Sequence, residues 1–234
     1  MDAGGQHHQM PWLQAAGEVA LEDCVPVQKF PVQRGRRTAP GWWWSATTGR
    51  LVHYGFGAMR TQVMMLDRDP SVAAIACRPV ELLWRGRGGV VVSHAPHLMT
   101  RLIDGSGVLV DCAGVRGAGR RLVQRAVHVE AVAEAAGWNY RLVGPPTAVA
   151  EANVRWLAGF RHPRCGAGGL EQVAQCFRAP RPLVDGVRAL GDPLAVWPAV
   201  FHALWRGVLE APLEVALHGE ALAVAARRGP GSQR

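Results

Sequence analysis

In the stretch GVLVDCAG, residues 107–114, an apolar run from Val108 to Val110 ends in Asp111 and gives way to small residues. A carboxylate at the end of a buried strand, followed two positions later by a lysine, is a common way of building a magnesium-dependent nuclease site. Position 113 is alanine, so the acid stands here without that partner. A second kind of chemistry is written in arginine. Arg121, Arg125 and His128 recur at helical spacing on one side of a helical stretch, and Arg34, Arg36 and Arg37 cluster in QRGRRTAP. Both sets, with Arg50 beside the tryptophan-rich stretch, have the chemistry to track phosphates, although a solvated helix face is the commoner reason for such a stripe.

The elements that would position these residues can be read from periodicity. Arg50 to Tyr54 reads as a short strand and Ala58 to Asp67 as a helix with Met59, Val63 and Leu66 on one face. Four short β-like runs follow, Val72 to Cys77, Val80 to Trp84, Gly89 to Ser93 and Leu98 to Ile103. The turn Asp104-Gly105-Ser106-Gly107 then leads into the run that ends at Asp111. Arg120 to Ala136 reads as a helix with Leu122, Ala126, Val129, Ala133 and Ala136 toward a core, WNYRLV as a strand, and TAVAEANVRWLAGF as a helix that Thr147 caps. This is the order of a compact α/β domain over residues 41–160. Residues 1–40 are expected to be a flexible basic arm, RHPRCGAGG at 161–169 a linker, and 170–234 short helices with a β wing and a basic tail. In the last segment Asp192 and Pro193 mark a helix start, Gly207 a stop, and VLEAPLEVAL two short strands.

The chain has 234 residues, 49% of them hydrophobic, enough for an ordinary buried core. No long uncharged apolar run appears, and the first residues lack the basic start and apolar stretch of a signal peptide, so a cytoplasmic protein is expected. The five cysteines are widely spaced with no C-x-x-C pair, which suggests buried thiols rather than a disulfide framework or a zinc site. The formal net charge of +8 is almost wholly arginine, since Lys29 is the only lysine. Arginine pairs bidentately with phosphate and so favours a nucleic acid or other polyanion as partner; GC-rich coding alone would also write such a composition.

Several stretches together resemble the TnsA-type endonuclease subunit of heteromeric transposases, a branch of the PD-(D/E)XK nuclease superfamily. They are GWWWSATTGRLVHYG, the helix ending in DRDP, APHLM, GVLVDCAG, NVRWLAGFRHPR and GDPLAVWPAVFHALWRGVL. The resemblance implies a restriction-endonuclease-like mixed sheet flanked by helices, followed by a small winged-helix-like domain. In such nucleases a glutamate from the first helix, an aspartate after a proline and an acid-x-Lys pair converge on one or two Mg²⁺ ions. Matching positions here are Gly55 or Met59, Pro96-His97, and Asp111-Cys112-Ala113. Of the acids only Asp111 survives, the central aspartate is His97, and no lysine follows position 29 to replace the missing one. Arg116 or Arg120 remains able to neutralise a phosphate, but a guanidinium stays protonated and makes a poor base.

The resemblance therefore implies a catalytically inactive TnsA-like subunit that binds double-stranded DNA or assembles with a transposase and an ATPase regulator, without a cofactor. Three other readings stand beside it. His97 and Asp111 could form a remodelled, active site holding Mg²⁺ or Mn²⁺, or, with Cys112, zinc; Cys112 would face the other side of the strand. They could simply hydrogen-bond or form an ion pair where a catalytic site once lay. Or the chain could be a protein-interaction adaptor that docks through a face near Trp197, Phe201 and Trp205.

Overall fold

The computed structural model describes residues 4–30, 39–167 and 169–227. The chain divides into two compact units, residues 1–67 with 71–145, and residues 68–70 with 146–234. The first unit contains α1 (Trp12–Glu18), β1 (Gly41–Trp44), β2 (Leu51–Tyr54), α2 (Gly57–Arg68), β3 (Val72–Cys77), β4 (Leu82–Arg85) and β5 (Val91–His94). It continues with β6 (Leu98–Leu102), β7 (Gly107–Cys112), α3 (Arg120–Ala135) and β8 (Asn139–Val143). Its main sheet has the order β3-β6-β7-β8, antiparallel until the last pair, where β7 and β8 run parallel. A parallel pair needs a crossover, and α3 supplies it. The apolar repeat expected on α3 is the one that packs: Ala126, Val129 and Ala133 are buried. The architecture is thus mixed α/β.

Strand β7 lies between β6 and β8, and all six of its residues are buried, which is why it reads as a continuous apolar run rather than an alternating one. Its first residue must be glycine, because a Cβ at Gly107 would enter the Trp138 ring. Gly107→Ala is expected to destabilise the protein by about 1–3 kcal/mol through overpacking, measured by urea unfolding; an unchanged midpoint would mean that Trp138 moves aside freely.

The N-terminal residues depart from the expected arm. Trp12 packs edge-on against Trp138 with ring centroids 5.4 Å apart and donates its Nε1–H to the Val132 carbonyl at 2.6 Å. Leu21 is buried in one cluster with Leu82, Met99, Leu109 and Val129, and Glu22 takes a two-point pair from Arg101. Trp12, Ala15, Ala16 and Val19 carry helical spacing over too few residues to stand out, yet they cover apolar surface that the sheet would otherwise expose. Arg34, Arg36 and Arg37 lie outside the described residues.

The tryptophan triplet is explained by the β1–β2 hairpin. Trp43 points inward and donates to the Asp67 carboxylate, which also accepts from Ser45 Oγ and the backbone N–H groups of Ala46 and Thr47. The buried acid at the end of α2 thus ties down the Ala-Thr-Thr-Gly turn. Trp42 faces out, its ring over His53 at 4.6 Å.

The second unit holds α4 (Ala148–Leu157), α5 (Leu170–Cys176), β9 (Arg181–Pro182), α6 (Leu183–Leu190), α7 (Pro193–Trp205), β10 (Leu209–Glu210) and β11 (Leu222–Ala225). The expected caps are present: Thr147 Oγ1 accepts from the Ala150 N–H, and Asp192 from the Leu194 N–H. Gly207, with φ +65°, ends α7. Two expectations fail here. Residues 161–169 are no linker, since a short turn at Pro163–Gly166 packs under α7 and a Cβ at Gly166 would strike His202; the units divide instead between Pro145 and Pro146. Residues 213–217 do not form the second strand of the wing. Asn153 donates to the carbonyls of Leu213 and Val215 and accepts the Leu217 N–H, so these three backbone groups are satisfied without a ladder, and β11 pairs with β10 in its place.

Candidate functional site

The register of the main sheet decides what surrounds Asp111. Leu98 pairs with Val110, so the residue before β6, His97, lies beside Asp111, and its backbone N–H donates to Asp111 Oδ1 at 3.2 Å. On the other side Leu109 pairs with Tyr140, two residues from Asp111 on the same face, and the tyrosine hydroxyl donates to Oδ2 at 3.0 Å. The last residue of β5, His94, brings Nε2 to 2.7 Å from the same oxygen. The carboxylate is 0% exposed. Burial works to raise its pKa, but the His94 bond and charge, with help from His97 and Tyr140, hold it below its ordinary value, so it is ionised and His94 Nε2 carries the donated proton.

His97 is a neutral member of the cluster. Its Nδ1 accepts the Cys112 N–H at 2.9 Å, which places the ring proton on Nε2. Nδ1 also lies 3.2 Å from Asp111 Oδ1, but two lone pairs meet there and no ion pair forms. Burial lowers the imidazole pKa from 6.5 to about 4, Asp111 opposing and Arg78 and His94 adding to the fall. An unfolded histidine binds its proton near 6.5, so as pH falls the unfolded state is protonated first and gains. The stability that neutral His97 contributes is complete above about 6.5 and is lost between there and about 4. Thermal melts at pH 7 and pH 4.5 should show this loss, and His97→Gln should reduce it; equal pH dependence in the two proteins would remove His97 as its source.

Arg78 completes the surroundings. It follows β3 with φ +43°, a left-handed conformation that a residue with a Cβ adopts only when the fold imposes it. The imposing contacts are its N–H to the His97 carbonyl, its carbonyl to the Val27 N–H, and its guanidinium over the Phe30 ring at 3.8 Å. Burial lowers its pKa, while Asp111 and Glu81 are among the charges pulling it back. It is a cation near Asp111 that spacing does not reveal, because β3 and β7 are not neighbours in the chain.

These residues do not fit Mg²⁺ or Mn²⁺. Hard divalent ions need several accessible oxygens, whereas Asp111 is enclosed and accepts three hydrogen bonds, Gly55 and Met59 offer none, and the Nδ1 lone pair of His97 is taken. Cys112 does not enlarge the set, since burial, before the charges of Asp111 and Cys77, pushes its thiol up to about 12 and keeps it protonated. No group of three or more His, Cys, Asp or Glu among the described residues is arranged to hold a metal. His94, Tyr140 and Arg78 are the partners that sequence reasoning missed; only the His-x-x-His spacing of His94 and His97 was there to be noticed.

The candidate arginines are placed differently. Arg50 is in an exposed ion pair with Asp23 at 2.8 Å, so its charge is already answered. Arg116, Arg120 and Arg121 are exposed around the start of α3, and Arg125 is partly buried one turn further along. Burial first, and then Arg121, lowers the Arg125 pKa. Like charges at i, i+4 and cations at a helix N-terminus are both unfavourable in isolation. The N-cap is Gly119, with no capping side chain and no acid in the first turn.

In the second unit, four rings gather on α4, α7 and the turn after α4. Trp197 stacks on Phe201 at 5.0 Å, Phe160 lies 4.8 Å from Phe201, and Trp156, 58% exposed, meets both. Trp205, expected on this face, is instead fully buried, because its position on α7 faces the core with Leu204 and Val200. No helix among the described residues is long and apolar enough to cross a membrane. No protein-family model and no curated protein matches the chain.

Proposed function

We propose that the chain is a TnsA-like transposase subunit that has lost the cutting chemistry and acts in the cytoplasm by holding double-stranded DNA within an assembly with transposase and ATPase regulator subunits. The observation that carries the non-catalytic part is the state of Asp111: a carboxylate with no exposure, three donors on it and no second acid beside it. Hydrolysis of a phosphodiester by the mechanism of the resembled nucleases needs a metal and a water at that carboxylate, and neither reaches it while the cluster is closed. The DNA-holding part rests on Arg116, Arg120, Arg121 and Arg125, in a stretch with no acid between Asp111 and Glu130.

A restriction-endonuclease-like first unit is supported by the mixed sheet β3-β6-β7-β8 with α2 before it and α3 across it. For the second unit, a winged-helix-like domain is supported by the order α5, β9, α6, α7, β10, β11 and by the three-stranded sheet β10-β11-β9. The assembly role is favoured by the aromatic face of Trp156, Phe160, Trp197 and Phe201, since partly exposed clustered rings are typical anchors of protein contacts. Supercoiled plasmid incubated with the protein and Mg²⁺, Mn²⁺ or Zn²⁺ should remain uncut while a labelled duplex is bound in a salt-dependent way. Nicking that Asp111→Ala abolishes would instead establish an active, rebuilt site around His97 and Asp111.

A further inference from the structure

Among the described residues the β4–β5 ribbon pairs with no other strand, and its two faces differ. Leu82, Trp84, Val92 and His94 share the inner face, which anchors it: Leu82 enters the core cluster, His94 reaches Asp111, and the Trp84 ring lies 5.2 Å from the His128 ring on α3. The outer face carries Leu83, Arg85, Val91 and Ser93, with Leu83 55% and Val91 61% exposed. At the tip, Gly88 and Gly89 take φ +73° and +76°, and nothing lies within 4 Å of a Cβ built on either, so the ribbon ends in a narrow, open turn.

An apolar ribbon left bare invites pairing with another chain, and charge is what points to its partner. No acid occurs between Glu81 and Asp104, and the Trp84–His128 contact sets the ribbon against α3, whose own stretch is free of acids up to Glu130. A two-stranded ribbon has the width of the DNA major groove, where arginine reads base edges or phosphates and small apolar side chains meet thymine methyls. We propose that the β4–β5 ribbon enters a groove of duplex DNA while Arg121 and Arg125 of α3 hold the adjoining phosphates, the Trp84–His128 contact keeping the two in register. This rests on the duplex-binding reading above and adds a contact that reading does not contain. It also gives the old acid a new task, since the Asp111–His94 bond positions the root of the ribbon.

The test uses the full chain and a fluorescently labelled duplex, with anisotropy followed over a salt series. Arg85→Ala should weaken binding by about tenfold at 0.1 M salt and lower the salt slope by about 1. Val90→Glu, at an exposed tip position, should weaken it further without lowering the melting temperature. Benzoylphenylalanine in place of Val90 should crosslink to the DNA on irradiation, a readout that needs no loss of affinity. Binding that Arg121→Ala weakens but both ribbon changes leave intact, with no crosslink from position 90, would overturn the ribbon contact and leave the duplex-binding reading standing. No duplex binding by the parent protein would overturn both.

Discussion

Asp111→Ala is expected to destabilise the protein by about 3 kcal/mol or more, since buried donors left without an acceptor cost about 1–3 kcal/mol each. His94, Tyr140 and the His97 N–H would all lose their acceptor at once inside a closed site, and each unanswered donor carries its own desolvation penalty. The sign separates two histories of this residue. A carboxylate kept for metal chemistry is commonly held at some cost to stability, so its removal leaves the fold unchanged or firmer. Urea unfolding of the two proteins at pH 7 measures the difference, and a variant as stable as the parent would sink the structural role. Coupling can then be assigned with His94→Ala alone and in the double variant. Interaction energy of 0.5 kcal/mol or more, on the order expected for residues in one network, should remain.

That cluster was legible in the sequence only at its centre. Asp111 stood out because an acid ended an apolar run, but nothing local said that its oxygens would be occupied. Tyr140 reaches it through a parallel pairing made possible by α3, and His94 arrives from a separate ribbon. Both depend on registers set by whole strands, and a register is a property of the packed sheet. His97 was visible as the histidine after Pro96, yet its neutral state follows from burial and from the Cys112 N–H, neither of which spacing encodes.

Arg121→Ala with Arg125→Ala is expected to weaken duplex binding by roughly 60- to 100-fold at 0.1 M salt and to lower the salt slope by about 2, as for two lost phosphate contacts. The pair sits on one side of α3, where burial first and then the charge of Arg121 lower the Arg125 pKa, and like charges at i, i+4 oppose the helix by about 0.2–0.5 kcal/mol. On the duplex-binding proposal, affinity and stability pull in opposite directions at this helix. Arg120→Glu makes the conflict measurable: an acid in the first turn meets the positive end of the helix and should raise stability by about 0.3–1 kcal/mol. The same change should reduce affinity for DNA. Anisotropy and thermal melts on the same preparations read both. If the double variant binds as the parent does, with an unchanged salt slope, α3 is only a solvated helix and the charge of the chain has another cause.

What the sequence by itself determined is what depends on near neighbours. The position of α2, the five strand runs between residues 72 and 112, the core face of α3, and the Thr147 and Asp192 caps all follow from period and local hydrogen bonding, and all are present. That Gly55 and Met59 offer no carboxylate and Ala113 no amine was equally plain, because it holds in any fold. Only the tertiary structure decided the rest. It buried Trp205 and kept Trp156 at the surface, drew Trp12 and Leu21 of the expected arm onto the first unit, and tied Leu213, Val215 and Leu217 to Asn153 instead of a strand. It also enclosed Asp111. In each case the deciding partner is far away in the chain, and a buried polar group or apolar side chain takes whichever partner the packed fold brings within reach.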